Sequence, residues 1–176
     1  MKFVKGIAFG AIGLFVVVTM LSLLIPSKIL TSKSVLINAP KDSIQRMVND
    51  LNEWKKWHPI FIQATLVADV SNPSTSKNAS IQWKSDGKQN SIVITAVSAD
   101  DLRFNVDRKG ERTIENSIVI VPMEGTTEYL VEWRALNTSK WYPWEKFAGI
   151  FVSQITGPGY EAALQGLKTY VEQNSP

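Results

Sequence analysis

Residues Gly6 to Ile25 read GIAFGAIGLFVVVTMLSLLI, twenty in a row without a charge. As a helix rising about 1.5 Å per residue, such a run reaches about 30 Å, the thickness of a bilayer's hydrocarbon core. Pro26 closes it, and Ser27 and Lys28 follow as interfacial residues. The stretch reads as a retained transmembrane anchor. The rival reading is a cleaved secretory signal, whose apolar core usually runs about 7 to 15 residues and ends in a small-x-small site. Here the run ends Leu23-Leu24-Ile25-Pro26 with no Ala-x-Ala, and Thr31-Ser32-Lys33 is a poor cleavage site. Lys2, Lys5 and the terminal amine precede the run, whereas Lys28 and Lys33 follow it. The positive-inside rule therefore leans, by about one charge, towards a cytoplasmic N-terminus. In a bacterium, a single-pass protein of this kind sits in the inner membrane with its domain in the periplasm. Gly6-x-x-x-Gly10 with Ala11 offers a close helix–helix face, although small residues are ordinary in such segments; the oligomeric state stays open.

With residues 1–30 as anchor and linker, residues 31–176 have the length of one domain. The sequence pI of about 9.1 suggests a basic protein, but its excess is local. Of nineteen Lys plus Arg, Lys2, Lys5 and Lys28 flank the apolar run, and the sixteen that remain match the sixteen Asp plus Glu. A nucleic-acid binder concentrates cations on its folded part, so nucleic acid is excluded as the main partner. There is no cysteine, which removes disulfides, thiolate catalysis and Cys-based metal sites. His58 is the only histidine, which removes a His-rich metal site. No phosphate loop, dinucleotide fingerprint, Gly-x-Ser-x-Gly elbow or His-Glu-x-x-His pair occurs. No catalytic set, metal or cofactor is expected.

Periodicity divides the rest. Thr31 to Asn38 reads as a strand. Ala39-Pro40 opens a helix, with Asp42 in its first turn and Ile44, Met47, Val48 and Leu51 on one face. Trp54 and Trp57 share one side of a second helical turn that Pro59 ends. Ile60 to Val70 is strand-like. Alternating apolar residues then mark strands around Ile81 and Trp83, Ile92 and Ile94, Leu102 and Phe104, Ile118 and Ile120, and Val131 and Trp133. Turn signals at Asn72-Pro73-Ser74, Asp86-Gly87, Asp100-Asp101, Lys109-Gly110 and Glu124-Gly125 separate them. Asn137 to Pro143 reads as a loop and Trp144 to Ile155 as a helix. Gly157-Pro158-Gly159 breaks that helix before a second, amphipathic one carrying Tyr160, Ala163, Leu164, Leu167, Tyr170 and Val171. The class is α+β, an antiparallel meander of about six strands with helices on one face.

Ser34-Val35-Leu36-Ile37-Asn38-Ala39-Pro40, a helix, Trp54-Lys55-Lys56-Trp57-His58-Pro59, the Gly125-Thr126-Thr127 strand with Trp133, and the closing segment Tyr160 to Glu172 follow one another in that order. Together they resemble the SRPBCC superfamily, which includes START, birch-pollen-allergen and polyketide cyclase/dehydrase-like domains, and specifically a membrane-anchored bacterial subgroup. The resemblance covers Thr31 to Glu172. It implies the helix-grip fold: a curved antiparallel sheet of about six to seven strands around a long C-terminal helix, with a hydrophobic cavity between them. It implies no shared catalytic motif. The residues expected to line that cavity are Trp57 and His58, then Trp83, Asn116 and Trp133 on strands, and Tyr160 and Leu164 on the last helix. Asn116 falls on an apolar face and needs a partner, either a ligand or a neighbour. Trp141 and Trp144 are read as packing, as a cavity gate or as residues dipping into a membrane interface. The expected role is a membrane-tethered binding or carrier domain for an apolar small molecule, such as a lipid, isoprenoid, quinone or aromatic. A cyclase or dehydratase using the same cavity, and an envelope interaction protein without a small ligand, are the alternatives.

Overall fold

The computed structural model describes residues 2–62, 66–85 and 87–175. Helix α1 (Lys2–Leu23) contains the apolar run. Its two hydroxyls are satisfied within the helix, Thr19 donating to the Phe15 carbonyl at 2.8 Å and Ser22 to the Thr19 carbonyl at 2.7 Å. It is the one described helix long and apolar enough to cross a membrane, and almost none of it is covered by the rest of the chain.

Strand β1 (Lys28–Ile37) follows, opening ahead of the expected Thr31. Next come α2 (Lys41–Asn49), α3 (Trp54–Trp57) and α4 (Pro59–Ile62). Strands β2 (Ala68–Val70), β3 (Ser80–Ser85), β4 (Lys88–Val97), β5 (Asp101–Arg108), β6 (Ile114–Pro122) and β7 (Tyr129–Thr138) form the meander. Helices α5 (Pro143–Gly149) and α6 (Val152–Asn174) close the chain. All seven strands pair antiparallel in the order β1-β7-β6-β5-β4-β3-β2. A register shift between Ile94 and Ala96 interrupts the β4–β5 pairing, and such bulges bend a strand. Turns at Gly87, Gly110 and Gly125 have φ of 71°, 88° and 76°, backbone that a Cβ would strain. Asp86 of the expected Asp86-Gly87 pair lies outside the described residues.

The inner sheet face carries Ile37, Ile81, Ile94, Leu102, Phe104, Ile118, Val131 and Ala135, all sealed from solvent. Against it lie α6, packed chiefly along β1, and the α2–α4 segment. Trp54 and Trp57 explain how that segment holds. Their buried indole N–H groups donate to the Val48 and Met47 carbonyls at 2.8 and 2.9 Å. Those carbonyls are in the last turn of α2, where no intrahelical donor remains for them. The two rings thus complete α2 while filling the core.

Three expectations need correcting. Ile60 to Val70 is not a continuous strand: the His58 carbonyl accepts from the Phe61 and Ile62 amides at 2.9 and 3.2 Å, forming α4, and only Ala68–Val70 pairs with the sheet. Residues 63–65 lie outside the described residues. Burial of Phe61 edge-on against Trp83, ring centroids 5.2 Å apart, outweighs the β propensity of its neighbours. Second, Gly157-Pro158-Gly159 does not break a helix; α6 runs through it, and the chain turns earlier, at Ile150 and Phe151. Pro158 cannot donate to the Gln154 carbonyl four residues back. Gln154 and Pro158 are both exposed, so that carbonyl is not orphaned in the core, while buried Gly157 lets the helix pass over Lys33. Third, β7 extends to Thr138, which shortens the expected loop from Asn137.

Candidate functional site

The core does not fill the whole space between sheet and α6. Trp54, Trp57, Phe104 and Leu164 plug one half. The other half is a cavity of about 390 Å³, within the range of small-molecule sites. One wall is a transverse row across three strands, Ile92 opposite Val106 and Val106 opposite Ile114. Trp83 and Trp133 extend it, His58, Pro59 and Ile60 bring in α4, and α6 contributes Ile155, Thr156, Gly159, Tyr160 and Ala162. The lining is mainly apolar. A larger depression of about 470 Å³ lies on the outer sheet face among Arg103, Glu115, Ser117 and Arg134. These are the outward positions of each strand, a solvated and charged surface, so the inner cavity is the candidate site.

Trp133 is the hub of the cavity wall. Its ring centroid lies 5.3 Å from Tyr160, 5.6 Å from Phe104, 5.8 Å from His58 and 5.9 Å from Trp54. Its indole N–H donates to Asn116 Oδ1 at 2.9 Å, and Asn116 Nδ2 donates to the Ile114 carbonyl at 2.9 Å. The polar residue on the apolar strand face is therefore spent on neighbours, and it holds the indole at a fixed tilt.

His58 stacks parallel on Trp54, 5.7 Å between centroids. Its Nδ1 accepts from the Ile60 amide at 3.3 Å, which places the proton of the neutral ring on Nε2. Burial pushes the imidazole down to about 4. The ring is thus neutral at pH 7 and a weak base. Burial also pushes the Tyr160 phenol above its usual range, with Arg108 opposing. His58 Nε2–H, the Tyr160 hydroxyl and the Trp83 indole N–H belong to cavity-lining residues, and none has a protein acceptor among the described residues.

Of the seven residues expected at the site, His58, Trp83, Trp133 and Tyr160 line the cavity. Asn116 does not line the cavity: it holds the Trp133 indole and borders the outer depression. Trp57 and Leu164 are sealed in the packed half: Trp57 because its indole reaches back to α2, Leu164 because it is one turn beyond Tyr160. Ile155, Thr156 and Gly159 belong to the site, but the first two precede the expected helix break and Gly159 falls within it. Ile92, Val106 and Ile114 carried a readable signal, the same alternation that marks Trp83, but only the register shows that they form one row. Among the described residues no group of three or more His, Asp or Glu side chains converges.

A curved antiparallel sheet gripping a long C-terminal helix, with a cavity between them, defines a START-like helix-grip domain built to bind a ligand. The chain belongs to the polyketide cyclase / dehydrase and lipid transport family, whose model matches residues 28–172. Solved structures agree in fold. A START superfamily protein from Mycobacterium smegmatis superposes with a TM-score of 0.58 at 16% identity, covering 82% of this chain and 96% of that one. Truncated norcoclaurine synthase from Thalictrum flavum gives 0.62 at 14% identity, covering 84% and 96%. The Aha1 dimer from Colwellia psychrerythraea gives 0.58 at 15%, covering 82% and 96%. No curated protein matches the sequence.

Proposed function

We propose that this chain is a membrane-tethered binding or carrier domain for an apolar small molecule with at least one oxygen acceptor. The observation that carries the reading is the cavity of about 390 Å³ left open between sheet and α6, beside a helix of spanning length. Apolar walls supply affinity by removing hydrocarbon from water, about 25 cal/mol per Å². The unpartnered donors on His58, Trp83 and Tyr160 select within that class. A pure hydrocarbon would displace water from them and offer no acceptor, at about 1–3 kcal/mol each, whereas a quinone, isoprenoid alcohol or lipid ester supplies one. The helix before β1 is the tether and holds the domain where such ligands partition. Lys2 and Lys5 on its leading side favour a cytoplasmic N-terminus, with the domain across the bilayer.

The test is native mass spectrometry of the full chain after mild extraction, with a Val106→Trp variant alongside. A co-purifying apolar molecule present in the parent and absent from the filled variant supports the reading. An empty parent that also fails to bind a fluorescent quinone or fatty-acid probe overturns it. Turnover is the second reading, because His58 and Tyr160 both pack on Trp133 in one mainly apolar cavity. The imidazole near 4 argues against general-base work at neutral pH.

A further inference from the structure

Helix α5 is built inside out. Pro143, Lys146 and Gly149 form its buried face, and Lys146 is only 4% exposed. The Lys146 ammonium donates to the Ile25 carbonyl at 2.7 Å and to Ser27 Oγ. Gly149 packs so closely on β1 that a Cβ would lie 2.6 Å from the Ile29 side chain. The opposite face is apolar and uncovered: Trp141, Trp144, Phe147, Ile150, Phe151 and Ile155 are 38% to 75% exposed. A water-facing helix is arranged the other way, with cations out and aromatic rings in. A contiguous apolar patch of this kind marks an interaction surface.

The position of α1 decides what meets it. The last turns of α1 pack on α5, with Ser22 fully buried at the junction, and Lys146 clamps the first residues beyond the helix. If α1 spans a bilayer, its end at Leu23 lies at the hydrocarbon boundary, and α5 is fixed to it at that depth. Tyr142 stacks on Trp144 with centroids 5.1 Å apart and meets Trp141 at a tilt, 4.9 Å away, and Lys140 sits over the Tyr142 ring at 5.6 Å. Tryptophan, tyrosine and lysine together are what the headgroup region favours. Ile155 belongs both to the patch and to the cavity wall.

We propose that α5 and the first turn of α6 lie in the headgroup region of the bilayer that α1 crosses, so that the cavity opens at Ile155 onto lipid. The ligand then exchanges between membrane and cavity without crossing water. This rests on the tethering reading above and adds a second contact that the tether alone does not require.

The full chain is reconstituted in vesicles of phosphatidylcholine brominated near the carbonyl end of the acyl chain, and its tryptophan emission is compared with that in unbrominated vesicles. Flotation with the vesicles checks the tether separately. Docking predicts quenching that the Trp141→Phe/Trp144→Phe double variant removes, since these are the two uncovered rings among six tryptophans. A chain that floats with the vesicles but shows no quenching, or whose quenching survives the double variant in full, overturns docking and leaves the tether standing. A chain that does not float overturns both. The absence of native cysteine gives a further check. Phe151→Cys carrying an environment-sensitive dye should shift to the blue on vesicle addition. Oxidative cross-linking between Phe151→Cys copies at every lipid-to-protein ratio would assign the face to a second copy of the chain and overturn the proposal.

Discussion

At the scale of single residues, the site depends on two polar side chains placed where apolar ones are expected. Asn116 accepts the Trp133 indole N–H and returns its own N–H to the strand. Asn116→Leu should cost about 1–3 kcal/mol, because the indole donor is left buried without an acceptor. Denaturant unfolding of the full chain in detergent measures this, and weaker probe binding should accompany it as Trp133 loses its fixed tilt. His58 makes stability depend on pH. Its unfolded-state value is near 6.5 and its folded value about 4, so in acid the unfolded chain takes up the proton first. The contribution of the neutral ring is complete above pH 6.5 and is lost as pH falls towards 4, about 3 kcal/mol across that window. Melting temperatures across the same range should therefore fall steeply for the parent and less steeply for His58→Asn. A parent with a flat profile there would contradict the buried, neutral imidazole.

At the scale of elements, α6 shows how packing and local propensity compete. Gly166 sits where α6 crosses α3, and a Cβ there would lie 2.3 Å from the Trp57 backbone carbonyl. Alanine gains about 1 kcal/mol over glycine in a helix interior, but relieving that overlap requires backbone movement, a cost of about 1–3 kcal/mol or more. Gly166→Ala should thus lower the melting temperature. Gly159, on the same helix with open space around it, should respond oppositely, Gly159→Ala being neutral or stabilising by up to about 1 kcal/mol. Thermal unfolding of the two variants side by side checks the comparison. Local signals served well where they agreed with burial: the face of α2 marked by Ile44, Met47 and Val48 is the buried one. They misled where a tertiary contact overrode them. Glycine and proline at 157–159 signal a stop, but β1 accepts Gly157 closely and Pro158 faces outward, so α6 continues.

At the scale of the whole molecule, the functional reading rests on volume that the core leaves unfilled. Val106 stands mid-wall between Ile92 and Ile114. Val106→Trp should reduce affinity for a fluorescent apolar probe by about tenfold or more, the equivalent of about 1.4 kcal/mol, while the chain still folds. Equilibrium titration of parent and variant is the check. Unchanged affinity would place the ligand elsewhere. The long apolar helix, the α+β order, the antiparallel meander and the inward alternation of Trp83 and Trp133 are legible from residue order alone, because they follow from hydropathy and the fixed periods of helix and strand. Tertiary packing alone sets where the cavity lies, that Trp57 and Leu164 pack outside it, that Ile155, Thr156 and Gly159 line it, and that α5 turns its lysine inward. Those outcomes depend on how residues far apart in the chain share one finite volume, and no local period encodes which part of that volume stays empty.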